Sequence, residues 1–201
     1  MIVYAESNFT LELAFLRPQS DSCEALARLA ESGAIQLVIP AFCGGEPYES
    51  MVRRSKDRKS VRDQLTAEIS ELSRSAPYSN ITQTAQTIIA ILSRSVIEEK
   101  SRLDDTLLRL TKLARMIPLT SDVLAASLTY QTQFPLSPQD AIVLASITAD
   151  LESVEPGLEK LFVTQNTSDF LNPDILELMS AYGCKLLFRF DNAIGYVKSR
   201  G

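Results

Sequence analysis

Ile2-Val3-Tyr4-Ala5-Glu6-Ser7-Asn8 begins with four apolar residues in a row and then a carboxylate. So short an unbroken apolar run reads as a buried strand, and the polar residues behind it as the turn that leaves it. Asn8 to Phe15 carries Phe9, Leu11, Leu13 and Phe15 before Arg17-Pro18 stops it. Alternation permits a strand there, but a short helix fits the next segment better. From Asp21, taken as an N-cap, Cys23, Leu26, Ala27, Leu29 and Ala30 keep helical spacing up to Gly33, a C-terminal signal. Ile35 to Ile39 is a second strand, closed by Pro40. Strand, helix and strand at this spacing predict a right-handed crossover and a parallel sheet.

Further along, residues 47–116 are almost free of glycine and read as three or more helices. Their clearest break is Ser75-Ala76-Pro77-Tyr78-Ser79-Asn80, and Ile88, Ile89, Ile91, Leu92 and Val96 form an apolar stripe. Ile117-Pro118-Leu119 is a short extended piece, after which Thr120 or Ser121 caps a helix reaching about Gln133. Ser137-Pro138-Gln139-Asp140 has the chemistry of a helix start: Ser at the cap, Pro in the first turn, an acid at the third position. Lys160–Thr164 and Cys184–Phe188 are the last strands, and a terminal helix begins near Asp191. The expectation is one α/β domain over residues 1–201, with no repeat or linker.

Composition narrows the chemistry. A hydrophobic content of 45% with 22% charged residues is that of a globular chain. No apolar run approaches the roughly 20 residues that span a bilayer. The start lacks a basic and then long apolar leader, so a cytoplasmic location with no membrane partner is expected. Cys23, Cys43 and Cys184 lie far apart without paired spacing; Cys23 and Cys184 read as buried thiols, and Cys43 lies near a candidate site residue without an activating base. The chain has no histidine at all, which removes Ser-His-Asp and Cys-His nucleophiles and histidine-based zinc sites. Hydrolysis would have to run on carboxylates through a hard cation such as Mg²⁺ or Mn²⁺. The net charge of −5 argues against indiscriminate polyanion binding while allowing a local basic strip.

In a parallel sheet, ligands bind beyond the carboxyl ends of the strands. Glu6 directly follows the first strand, Glu46 lies in the loop after the second, and Asn166 and Asp169 follow the strand ending at Thr164. Asp140 opens a helix whose first turn is able to face the same crevice. Each has a plainer explanation: an exposed turn for Glu6, helix-dipole acids for Glu46 and Asp140, turn and cap chemistry for Asn166 and Asp169. Glu49, close behind Glu46 on the same helix, is the substitute for Glu46.

As an ordered set, four blocks resemble the PIN-domain family, with its VapC-like metal-dependent ribonucleases. Val3-Tyr-Ala-Glu-Ser-Asn8 is similar to the first-strand motif, and Ile39-Pro40 followed by Glu46 to the second block. Ile117-Pro-Leu-Thr120 with Leu136-Ser-Pro-Gln-Asp140-Ala-Ile-Val-Leu-Ala145 resembles the third, and Phe162-Val-Thr-Gln-Asn166-Thr-Ser-Asp169-Phe170 the last. The resemblance implies a three-layer α/β/α sandwich with a mainly parallel sheet and an acidic Mg²⁺ or Mn²⁺ site hydrolysing phosphodiesters, most often of RNA. It makes Glu6, Glu46 and Asp140 the three principal acids, Asn166 or Asp169 the fourth ligand, and Asn8 the residue that orients the first acid. Two departures stand out. Glu6 replaces the usual Asp, and Asn166 stands where some members carry Asp.

Arg53, Arg54, Lys56, Arg58, Lys59 and Arg62 form the one dense basic run, read either as a phosphate strip flanking the crevice or as a solvated helix face. Tyr48 reads as a core residue or a base-stacking one. RNA, an antitoxin-type protein and a second copy of the chain are the expected partners. The principal alternative is a weak or inactive PIN-like domain acting as an RNA-binding or protein-interaction module. A receiver or phosphatase fold is disfavoured, because Glu6-Ser7-Asn8 lacks their paired acids.

Overall fold

Strand β1 (Ile2–Ala5) lies at the centre of a five-stranded, all-parallel sheet of order β3-β2-β1-β4-β5 in the computed structural model, with β2 at Gln36–Pro40, β3 at Arg115–Ile117, β4 at Lys160–Val163 and β5 at Cys184–Leu187. The structure describes residues 1–155 and 157–200, and the side chains of all of these except 79–83. The helices are α1 (Ser7–Phe15), α2 (Ser20–Glu31), α3 (Glu46–Leu72), α4 (Thr82–Leu113), α5 (Ser121–Gln133), α6 (Pro138–Ser153), the single turn α7 (Thr167–Phe170), α8 (Pro173–Ala181) and α9 (Phe190–Lys198). The connection from β1 to β2 and the one from β3 to β4 run in opposite directions along the sheet. Right-handed crossovers therefore place α2 on one face and α6 on the other, which makes the three-layer sandwich. Strands buried on both faces need continuous apolar sequence, and Val3, Tyr4, Ala5, Leu161, Phe162 and Val163 are fully buried.

The order of the strands fixes where a site can form. Between β1 and β4 the sheet switches direction, and register Ala5↔Val163 sets Glu6 beside Thr164 at the carboxyl edge. Such a switch point is where a parallel sheet opens a crevice. At the opposite side of the core, the Tyr4 hydroxyl donates to Asp150 at 2.7 Å, and Arg115 grips the same carboxylate at 2.6 and 2.7 Å. This bridge ties β1, β3 and α6 together.

Several expectations are corrected. The stretch 47–116 is not three or more α-helices but two, α3 and α4, separated by a 3-10 segment at Ala76–Ile81. Pro77 supplies the only strong breaker, so the chain on either side runs on uninterrupted. The N-cap of α2 is Gln19, not Asp21, which lies inside the first turn; the Gln19 side chain caps nothing and instead accepts from the Phe190 amide at 2.6 Å, tying α2 to α9. Pro40 ends β2 from within, and β3 lies two residues earlier than the extended piece expected at 117–119, since Pro118 has no amide to continue a ladder. Helix α8 was not anticipated, although Asn172-Pro173-Asp174 repeats the cap chemistry of Ser137-Pro138 and Asn172 accepts from the Asp174 amide at 2.9 Å. No helix among the described residues is long and apolar enough to cross a membrane.

Candidate active site

Glu6 is the N-cap of α1 and is 5% exposed. Its Oε2 accepts from the Asn8 amide and the Ser7 hydroxyl, both at 2.9 Å. Its Oε1 accepts from Asn8 Nδ2 at 2.7 Å and from the Thr164 hydroxyl at 3.0 Å. Burial nevertheless outweighs these four donors and raises the Glu6 carboxyl above its ordinary range. Asn8 and Thr164 thus both hold the Glu6 carboxylate in place, and the Thr164 contact is one the sequence did not reveal.

Two hydroxyls extend this contact into a network. Ser7 Oγ reaches Glu46 Oε2 as well as Glu6. A hydroxyl has one proton to give, so Ser7 donates to one of these two carboxylates at a time. On the other side, Thr164 Oγ1 accepts from the Asn166 amide at 2.9 Å, and Asn166 Nδ2 donates to Asp140 Oδ1 at 3.0 Å. Asp140 is closed from behind by its cap: Ser137 Oγ donates to Oδ2 at 2.5 Å and accepts from the Asp140 amide at 3.1 Å. Ser168 joins Asn166 Oδ1 at 2.7 Å to Asp169 Oδ2 at 3.1 Å. Glu46, Glu6, Asn166, Asp140 and Asp169 therefore belong to one hydrogen-bonded chain whose links are Ser7, Thr164 and Ser168.

A cleft of about 350 Å³ opens above this chain, bordered by Glu46, Glu49, Arg53, Gln139, Asp140 and Asn166. Neither Glu6 nor Asp169 borders it. Burial, then the charges of Asp169 and Glu46, raise the Asp140 carboxyl despite the Ser137 and Asn166 donors. Burial, and after it the charge of Glu6, also pushes the Cys43 thiol well up, so Cys43 is an inert packing group. Among the described residues, none of Glu6, Glu46, Asp140 or Asp169 has a salt-bridge partner.

The sequence profile of the PIN domain matches residues 3–170. The chain belongs to the PIN-domain family. No curated protein and no solved structure matches it. PIN-domain membership gives the chain a nuclease-like role in general terms and implies a divalent cation. The donor chemistry fits one: the site is built from oxygen ligands, its carboxylates have no salt bridge among the described residues, and hard cations take such ligands. The spacing is looser than expected, because no three His, Cys, Asp or Glu side chains among the described residues come close enough together to hold an ion as they stand.

The basic run divides by helical phase within this PIN domain. Arg53 borders the cleft. Arg54 and Arg58 face α4, where both grip the buried Glu99, at 3.2 and 2.7 Å, and Arg54 lies 4.5 Å from the centre of the Phe15 ring. Arg62 pairs with Asp63, while Lys56 lies on an adjoining recess with Tyr48. Of the expected phosphate strip, Arg54 and Arg58 are thus bound up in the α3–α4 seam. Tyr48 is not core: it is 40% exposed.

Proposed function

We propose that the protein is a metal-dependent phosphodiesterase acting on RNA. The observation that carries this is a set of carboxylates, linked through hydroxyls at the switch point of the sheet and opening on a cleft, with no salt-bridge partner among the described residues. Glu46, Asp140 and Asn166 would hold Mg²⁺ or Mn²⁺, with Glu6 behind them, Asp169 adjoining and Glu49 beside Glu46. A bound cation supplies Lewis-acid polarisation of the phosphate and a lowered pKa for its water. Ser7, Asn8 and Thr164 fix the Glu6 carboxylate, and Ser137 and Asn166 fix Asp140, which orients the attacking water and takes its proton. Arg53 holds the phosphate at the cleft mouth. In this reading the chain is one catalytic domain. It belongs with the toxin-type members of the family, paired with a small antitoxin, and acts as a cytoplasmic protein able to self-associate; a small open reading frame beside its gene would support the antitoxin.

RNA cleavage in Mn²⁺ by the wild type, Asp140→Asn and Glu6→Gln tests the reading, and undiminished cleavage by both variants overturns it. A second reading, a catalytically weak PIN-like domain that binds RNA or protein, is favoured by the four protein donors already on Glu6 and by the loose spacing of the acids. Titration calorimetry with Mn²⁺ separates the two: micromolar binding supports the enzyme, and none supports the binding module.

A further inference from the structure

The face of α3 next to the cleft carries Tyr48, Val52 and Lys56 at four-residue spacing, one row of the helix surface. The adjoining row, Glu49, Arg53 and Asp57, separates this face from the cleft, and Glu49 and Arg53 border both. Together these residues line an open recess of about 460 Å³. Its floor is apolar: Tyr48 is 40% exposed and Val52 44%. The tyrosine ring is held in place by its hydroxyl, which donates to Asp104 at 2.9 Å, and Asp104 in turn is gripped by Lys100 at 2.6 Å. Arg53 and Lys56 are matched in number by Glu49 and Asp57, so the recess carries no net charge.

We infer that this recess is a subsite for one unpaired nucleobase of the RNA whose phosphate occupies the cleft. The inference rests on the proposed function and adds to it the place on α3 where one base is seated. A fixed, half-exposed ring beside an aliphatic side chain offers a flat apolar surface to a base, and only a base freed from a duplex has its face available. The ring is already immobilised by Asp104, so little conformational freedom is lost when a base stacks on it. Arg53, shared by the two recesses, spans from the phosphate to the edge of the base, so cleft and shelf are read by one continuous strand. The Tyr48–Val52 floor distinguishes bases by stacking area, which favours purines.

Fluorescence anisotropy tests this with a labelled single-stranded RNA, the same strand in a duplex, and the same strand with abasic sites, all in Ca²⁺ and with the RNA checked intact afterwards. Tyr48→Ala is expected to weaken single-strand binding about tenfold and leave duplex binding unchanged, while Tyr48→Phe stays within about twofold of wild type. Abasic sites are expected to erase the difference between wild type and Tyr48→Ala. Unchanged single-strand binding by Tyr48→Ala, or an equal loss on the duplex or the abasic strand, overturns the subsite and leaves the catalytic reading intact. Absence of RNA binding and cleavage in the wild type overturns both.

Discussion

Asn166 donates its Nδ2 to Asp140 Oδ1 at 3.0 Å and receives the Ser168 hydroxyl on its own Oδ1. Asn166 is thus placed to orient Asp140 as well as being a candidate ligand. Asn166→Ala leaves Asp140 with the Ser137 donor alone, and Mn²⁺-dependent cleavage is expected to fall by about tenfold or more. Asn166→Asp sets a second carboxylate against Asp140, so Mn²⁺ binding, read by calorimetry, is expected to tighten while the metal-free protein loses stability. Looser Mn²⁺ binding by Asn166→Asp would count against a cation at this place.

The raised Asp140 carboxyl sets the sign of a stability effect. A carboxyl whose folded pKa exceeds its unfolded one binds its proton more tightly in the folded chain, so its ionisation costs stability above the folded value. That cost disappears as the pH falls below the ordinary carboxylate range. In EDTA at pH 8, Asp140→Asn is therefore expected to melt above the wild type, with the gain shrinking toward pH 4. Melting below the wild type at pH 8 would show that the N3 cap outweighs the relief of burial and like charge.

Asp150 has the opposite sign. Its burial acts upward, but the Arg115 fork and the Tyr4 hydroxyl outweigh it and hold the carboxyl below its ordinary range. Its contribution to stability is present above the unfolded pKa and lost as pH falls through the folded value. Arg115→Ala is expected to cost about 2 kcal/mol at pH 7, less than a wholly buried pair because Arg115 is 40% exposed. Urea unfolding across pH 2–7 measures both quantities, and a loss that is the same at either end would exclude the ion pair as its source.

Arg53 and Arg58 separate binding from architecture. Arg53→Ala is expected to lower RNA affinity and reduce the salt slope by about one unit, with melting unchanged. Arg58→Ala removes a grip on the buried Glu99 and is expected to cost about 1 kcal/mol of stability while leaving the salt slope as it was. Binding isotherms at three salt concentrations decide; a reduced slope in Arg58→Ala would return that residue to the phosphate path.

Much of this site was legible where short-range chemistry determines position. Ser137-Pro138 fixes the start of α6 and hence the direction of Asp140, and an apolar run ending in Glu6 marks a strand end. What was not legible depends on register and on distant partners. Thr164 reaches Glu6 only because β1 and β4 pair with Ala5 opposite Val163, a fact no spacing between residues 6 and 164 contains. Arg54 and Arg58 show as charge in the sequence, while the buried Glu99 that engages them lies on another helix more than 40 residues on. Tyr48 was weighed as core for want of the same information, since its exposure follows from how α4 meets α3. Helix α8 is the one omission that local chemistry would have remedied.

Glu46 is the first residue of α3, and the same unbroken rod continues for 27 residues, about 40 Å, to Leu72. The Glu99 fork holds this helix against α4 about two to three turns beyond Glu46, so the footing of one carboxylate of the cleft is set by a seam that lies outside it.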